Sequence, residues 1–265
     1  MIKRTLILLA VALLAAWFWF VVKPWIQDPT WSTVNYSTWL VPLIALMVAS
    51  AGIATALTLL DDYQWRFGAS GVVAATFLVL FGITKLNLLA VAVMFLFHFW
   101  AIRGLSKAIK NGLKVDFRAA VNHGMRNVIT PLLIMLSFVY FANPDVQASV
   151  QQNQLPTSIT RAVEGVSRFF ASSELADLPP NQRARIEQEL SQETLDLLNR
   201  QAGPYRQYFP PLLAFGLFLV LQGLSFLFIP IAGYIALGLY EVLRLTEFVH
   251  IGVKDVQAEV LTLDK

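Results

Sequence analysis

The sequence predicts an all-α integral membrane protein of about seven transmembrane helices, with a helical extracytoplasmic insertion and a short carboxy-terminal tail. Three observations predict it. Only 14% of the 265 residues are charged, against roughly 25% in soluble domains. The deficit is concentrated, because residues 5–22 and 38–60 hold no charged side chain. Basic and aromatic residues also collect at opposite ends of the apolar runs. A bilayer span takes about 20 apolar residues, and its backbone must satisfy its own hydrogen bonds, which selects helix. The runs do not alternate apolar with polar residues, so a membrane barrel is excluded.

The first span covers residues 5–22, behind Lys3 and Arg4. A signal-peptide core would be shorter and would end in a small-residue cleavage site. This run continues into Trp17, Phe18, Trp19 and Phe20, and reads as an uncleaved span. The second span covers 39–60. The third (69–84) and fourth (88–102) are short, and Lys85 between them must snorkel to the interface. The fifth covers 128–142. Residues 210–246 are too long for one span at about 1.5 Å per residue. Pro230 and Gly233 supply a break, so a hairpin of two spans, 211–228 and 231–246, is expected. A single kinked helix is the alternative.

Lysine and arginine set the orientation. The loop 103–127 holds Arg103, Lys107, Lys110, Lys114, Arg118 and Arg126 against one acid, Asp116. Short loops this basic stay in the cytoplasm. Lys3 and Arg4 place the amino terminus on the same side, and residues 143–209 then face outward. Trp17, Trp19, Trp25, Trp31 and Trp39 fall at the outer ends of spans one and two, with Trp65 and Trp100 near inner ends, as interfacial belts require. Seven spans put the carboxy terminus outside. The predicted location is an inner or plasma membrane. Within 101–128, Ile109, Leu113, Phe117 and Val121 recur every four residues. That is the pattern of a basic amphipathic helix lying on anionic lipid.

In the outer segment, Thr157 or Ser158 can cap a helix that carries Ile159, Ala162, Val163, Val166 and Phe169 at helical spacing. Leu178-Pro179-Pro180 breaks it. A second helix, about 181–200, carries Ile186, Leu190, Leu197 and Leu198, and Gly203-Pro204 ends it. In the tail, 247–265, Val249, Ile251 and Val253 alternate, as do Ala258 and Val260. Period two suggests a β-hairpin, with a helix from Asp255 as the alternative.

The absence of cysteine excludes disulfides, cysteine nucleophiles and thiolate metal sites. No cofactor or metal motif is present, and the clustered bases report topology, not nucleic-acid binding. Ionisable groups deep in a span are functional candidates. His98 lies in span four near its inner end, and reads either as a packed histidine or as a ligand or proton site. Glu241 lies three residues before Arg244, a spacing that suits a helical ion pair. Asp61 and Asp62 at the inner surface are expected to be solvated or paired with Arg66. Ser50, Thr55, Thr58, Thr76, Ser137, Gln222 and Ser225 are expected to bond across helices. Ala45, Ala49, Gly52 and Ala56, with Ala232 and Ala236, form small-residue stripes that let helices approach closely. Gln222 is the centre of any polar pathway for a solute.

Gly68-Ala69-Ser70-Gly71 resembles the serine motif of rhomboid intramembrane proteases. His123-Gly124 follows two spans later on the same membrane side. The resemblance implies Ser70 as nucleophile and His123 as its base. It covers about six residues, with two spans before the serine where the family has three. It would also open the site to the cytoplasmic face, where rhomboids open theirs to the other.

The function expected is that of a non-enzymatic membrane component: a scaffold, an assembly factor or a subunit, with a membrane-protein partner or as a homo-oligomer. The alternative is a transporter or channel for a neutral or apolar solute. An intramembrane serine protease is the third reading.

Overall fold

The computed structural model describes residues 1–27, 36–60, 62–110, 117–144, 146–147, 160, 163–165, 179–202 and 208–249. Among them are α1 (Ile2–Gln27), α2 (Tyr36–Leu59), α3 (Tyr63–Phe81), α4 (Lys85–Lys110), α5 (Phe117–Phe141), α6 (Pro180–Ala202) and α7 (Phe209–Leu245). All but α6 are long and apolar enough to cross a membrane. The chain is an all-α membrane protein.

Helix α2 occupies the middle and packs on α1, α3, α4, α5 and α7. Its small residues make that possible. Ala45, Ala49 and Ala56 are buried, and a Cβ on Gly52 would collide with Cδ1 of Leu14, so the Leu14 side chain of α1 lies against the α2 backbone there. Helix α5 packs on α4 and α7. A Cβ on Gly124 would lie 3.2 Å from Leu105, and Phe117 stacks on Tyr240 with ring centroids 4.0 Å apart.

The helices run antiparallel in turn, which gives the bundle two ends. One, the amino-terminal end, gathers Lys3, Arg4, Asp62 and residues 244–249. There Nζ of Lys3 donates to the Phe248 carbonyl at 2.9 Å, and Arg4 pairs with Asp62 at 2.7 Å. The far end gathers the last turns of α1, α3 and α5, where Asn143 donates to the Ile26 carbonyl at 2.9 Å.

The expected hairpin at 210–246 does not form. Helix α7 is continuous over 37 residues with Pro230 inside it, about 55 Å at 1.5 Å per residue. That exceeds the ~30 Å hydrocarbon core, so its ends project. Its buried residues Leu217, Leu221, Ser225, Phe228, Ala232 and Ala236 form one unbroken stripe across Pro230. A turn there would split this seam and leave backbone groups unpaired in lipid. Pro230 is exposed, so its ring faces no neighbouring helix. As a consequence, the close of α7 lies beside Lys3, at the same end as the amino terminus. The seven-span expectation had put the carboxy terminus on the opposite side.

Two further expectations change. Residues 101–128 do not form a separate surface helix: α4 runs on to Lys110 and α5 starts at Phe117. Phe117 and Val121 are buried in the bundle, not laid on lipid. Trp19 is not interfacial either. It is fully buried among Phe18, Phe77 and Phe81. The tail hairpin and most of the first outer helix lie outside the described residues.

Candidate functional site

Polar side chains inside the bundle form a seam between α3 and α4. Arg66 and Ser70 are one turn apart on α3, and His98 and Ser106 are two turns apart on α4. Nη1 of Arg66 donates to Oγ of Ser106 at 2.6 Å, and its Nε donates to the Leu60 carbonyl. Nδ1 of His98 lies 2.9 Å from Oγ of Ser70. All four residues are buried. His98 sits eight residues inside Ser106, about 12 Å deeper along α4.

The structure therefore gives Ser70 a histidine, but it is His98. The side chain of His123 lies outside the described residues. Oγ of Ser70 is also 3.3 Å from the Arg66 carbonyl. One tautomer uses both contacts: Nδ1–H of His98 donates to Ser70, whose hydroxyl donates to Arg66. This assignment comes from the hydrogen-bond network. It directs the serine proton away from the imidazole, opposite to what a general base requires. Both residues are fully buried. Among the described residues Nε2 of His98 has no partner.

The other candidates do not join this seam. Gln222 donates to Ser225 on its own helix at 3.3 Å, and its buried Oε1 has no partner among the described residues. Glu241 is more than half exposed and pairs with Arg244 at 3.4 Å. Thr58, Thr76 and Ser137 donate to carbonyls three or four residues back along their own helices, not across helices as expected. Helical hydroxyls have that carbonyl in constant reach. Among the described residues no group of three His, Asp or Glu side chains could hold a metal.

A second polar layer, at the far end, was missed in the sequence. Lys23 donates to the Leu80 carbonyl at 3.1 Å. Nδ2 of Asn87 donates to the carbonyls of Phe81 and Gly82 at 3.1 and 2.9 Å. Gln147 donates to the Phe141 carbonyl. With Asn143 on Ile26, these side chains satisfy the carbonyls that the last turns of α1, α3 and α5 leave open. The available signal was amide side chains at span boundaries.

Of the basic residues, Arg103 stacks over Phe99 at 5.4 Å and Arg118 over Tyr234 at 6.0 Å. Arg118, Arg126 and Arg103 are exposed. The side chains of Lys107, Lys110 and Lys114 lie outside the described residues.

No protein-family model, curated protein or solved structure matches the chain.

Proposed function

We propose that this chain is a non-enzymatic component of a membrane assembly, a scaffold, assembly factor or subunit. In this reading the amino terminus is cytoplasmic and residues 143–209 are extracytoplasmic. The basic residues from Arg103 to Arg126 rest on anionic lipid, and α6 meets a partner protein. The observation that carries the proposal is α6 itself. Ile186, Leu190 and Leu197 fall within about 40° of one another at 3.6 residues per turn, and are 36–53% exposed on a helix otherwise rich in charge. An apolar stripe with a charged rim on a helix outside the spans suits protein contact.

The interior supports this reading over the alternatives. Of the pathway candidates, Glu241 sits in an exposed ion pair with Arg244, and the amide nitrogen of Gln222 bonds Ser225 on its own helix. The buried, closed Ser70–His98 pair argues against a protease.

The test is purification in mild detergent from the native membrane, followed by native mass spectrometry. A second protein in fixed ratio is expected with the unaltered chain. It should be lost from the double variant Leu190→Gln, Leu197→Gln at unchanged thermal stability. A monomer, or a ratio indifferent to both substitutions, would refute the proposal.

A further inference from the structure

Between α1, α2, α5 and α7 lies a cavity of about 120 Å³ whose walls present no polar atom. Phe18 and Val22 of α1, Leu46 of α2 and Leu136 of α5 form its floor, and all four are 3% exposed or less. Val220 and Leu224 of α7 form its rim, and are 56% and 39% exposed. The cavity is thus closed toward the middle of the bundle and open at the surface beside α7. Every residue that lines it belongs to one of four candidate spans, so its mouth faces the hydrocarbon of the bilayer. Along α1 the lining runs from Phe18 to Trp25, about 10 Å at 1.5 Å per residue. It lies in the half of the bundle nearer the far end.

The walls decide what can fill this space. A buried water needs about two to four polar partners, and apolar cavities stay dry. Left empty, the cavity would deprive its lining atoms of dispersion contacts on one side. An apolar occupant restores them. An apolar cavity of roughly 150 Å³ admits benzene, so this one takes a few carbons: a stretch of hydrocarbon chain, and not a fused ring system. Chains of that kind surround the mouth. Leu219 and Leu227 on α7, and Val41 and Ile44 on α2, are exposed and apolar beside it, and extend a lipid-facing surface up to the rim.

We propose that this cavity binds one acyl chain of a bilayer lipid, inserted sideways past Val220 and Leu224 to rest on Leu46 and Leu136. The headgroup stays at the interface, and the apolar walls do not choose among headgroups. The chain packs against α1, α2, α5 and α7 at once and so becomes part of the bundle.

The experiment uses the full chain in phosphatidylcholine vesicles in which a small part of the lipid carries a photoreactive diazirine in mid-chain. After illumination, labelled residues are located by mass spectrometry. Helix α5 makes the readout specific. No residue from 128 to 140 is exposed, so lipid that merely surrounds the protein does not touch Leu136. A label on Leu136 is expected in the unaltered protein, together with labels on Leu89 and Leu96 of α4, which are 53% and 50% exposed. Val220→Trp should close the mouth, abolishing the Leu136 label while keeping those on Leu89 and Leu96. Leu46→Phe fills the floor and should do the same. Val220 lies at the surface, so its variant decides the matter should Leu46→Phe fail to fold. Labels confined to outward-facing residues in the unaltered protein, or a Leu136 label that survives either substitution, would overturn the proposal.

Discussion

The two ends of the bundle are closed by different chemistry. At the amino-terminal end, charged side chains tie elements far apart in sequence: Lys3 to the close of α7, Arg4 to Asp62, and Arg66 to Ser106. At the far end, three amide side chains and one lysine do the work, and each donates to a carbonyl at the end of a helix. The difference follows from which groups each end must satisfy. Helix ends α1, α3 and α5 leave carbonyls at the far end, and amides are good donors to them at no charge cost. The ion pair of Arg4 with Asp62 joins side chains that are 35% and 54% exposed, so water competes for it. The far end should therefore contribute more stability per residue.

The largest expected effect is that of Asn87→Leu, which strips two carbonyls of their donor at a buried position. A loss of about 2–3 kcal/mol is expected, read by thermal or denaturant unfolding in detergent. Ser106→Ala comes next. It leaves buried Arg66 one acceptor short, at about 1–2 kcal/mol. It also sharpens the comparison, because a buried bond at the charged end should resemble the far end more than its own surface. Arg4→Gln should cost less than about 1 kcal/mol, and less still in high salt. The smallest effect is that of Glu241→Gln, within about 0.5 kcal/mol, since its partner Arg244 stays solvated. Should Arg4→Gln cost more than Asn87→Leu, the ranking of the two ends fails.

Much of the fold was legible in composition. Charge-free runs place α1 and α2 without ambiguity, because the cost of charge in lipid leaves few alternatives. The course of α7 follows the alternative, a single helix, and not the hairpin. Pro230 and Gly233 are local breakers, but the buried stripe through Leu221, Ser225, Phe228, Ala232 and Ala236 has helical period on both sides of them. Tertiary packing along one seam outweighs a single missing hydrogen bond. Phe117 and Val121 misled for a related reason. An amphipathic stripe says that one face is covered, not whether lipid or another helix covers it. His98 is legible as an ionisable group inside a span, and Ser70 through the Gly68-Ala69-Ser70-Gly71 motif. Their pairing is not, because it depends on how α3 and α4 face each other. The far-end layer escaped notice because Asn87 and Asn143 resemble ordinary loop residues until the carbonyls they serve are located.

The central claim is that α7 is one helix, so that the amino terminus and the close of α7 lie at the same end of the bundle. The direct measurement is labelling with a membrane-impermeant thiol reagent. The chain has no cysteine, so single replacements at Lys110, Gln201 and Glu247 have a clean background. In sealed vesicles of known orientation, positions 110 and 247 should react from the same side and position 201 from the other. Reaction of position 247 together with 201, opposite to 110, would contradict the account and restore a seventh crossing.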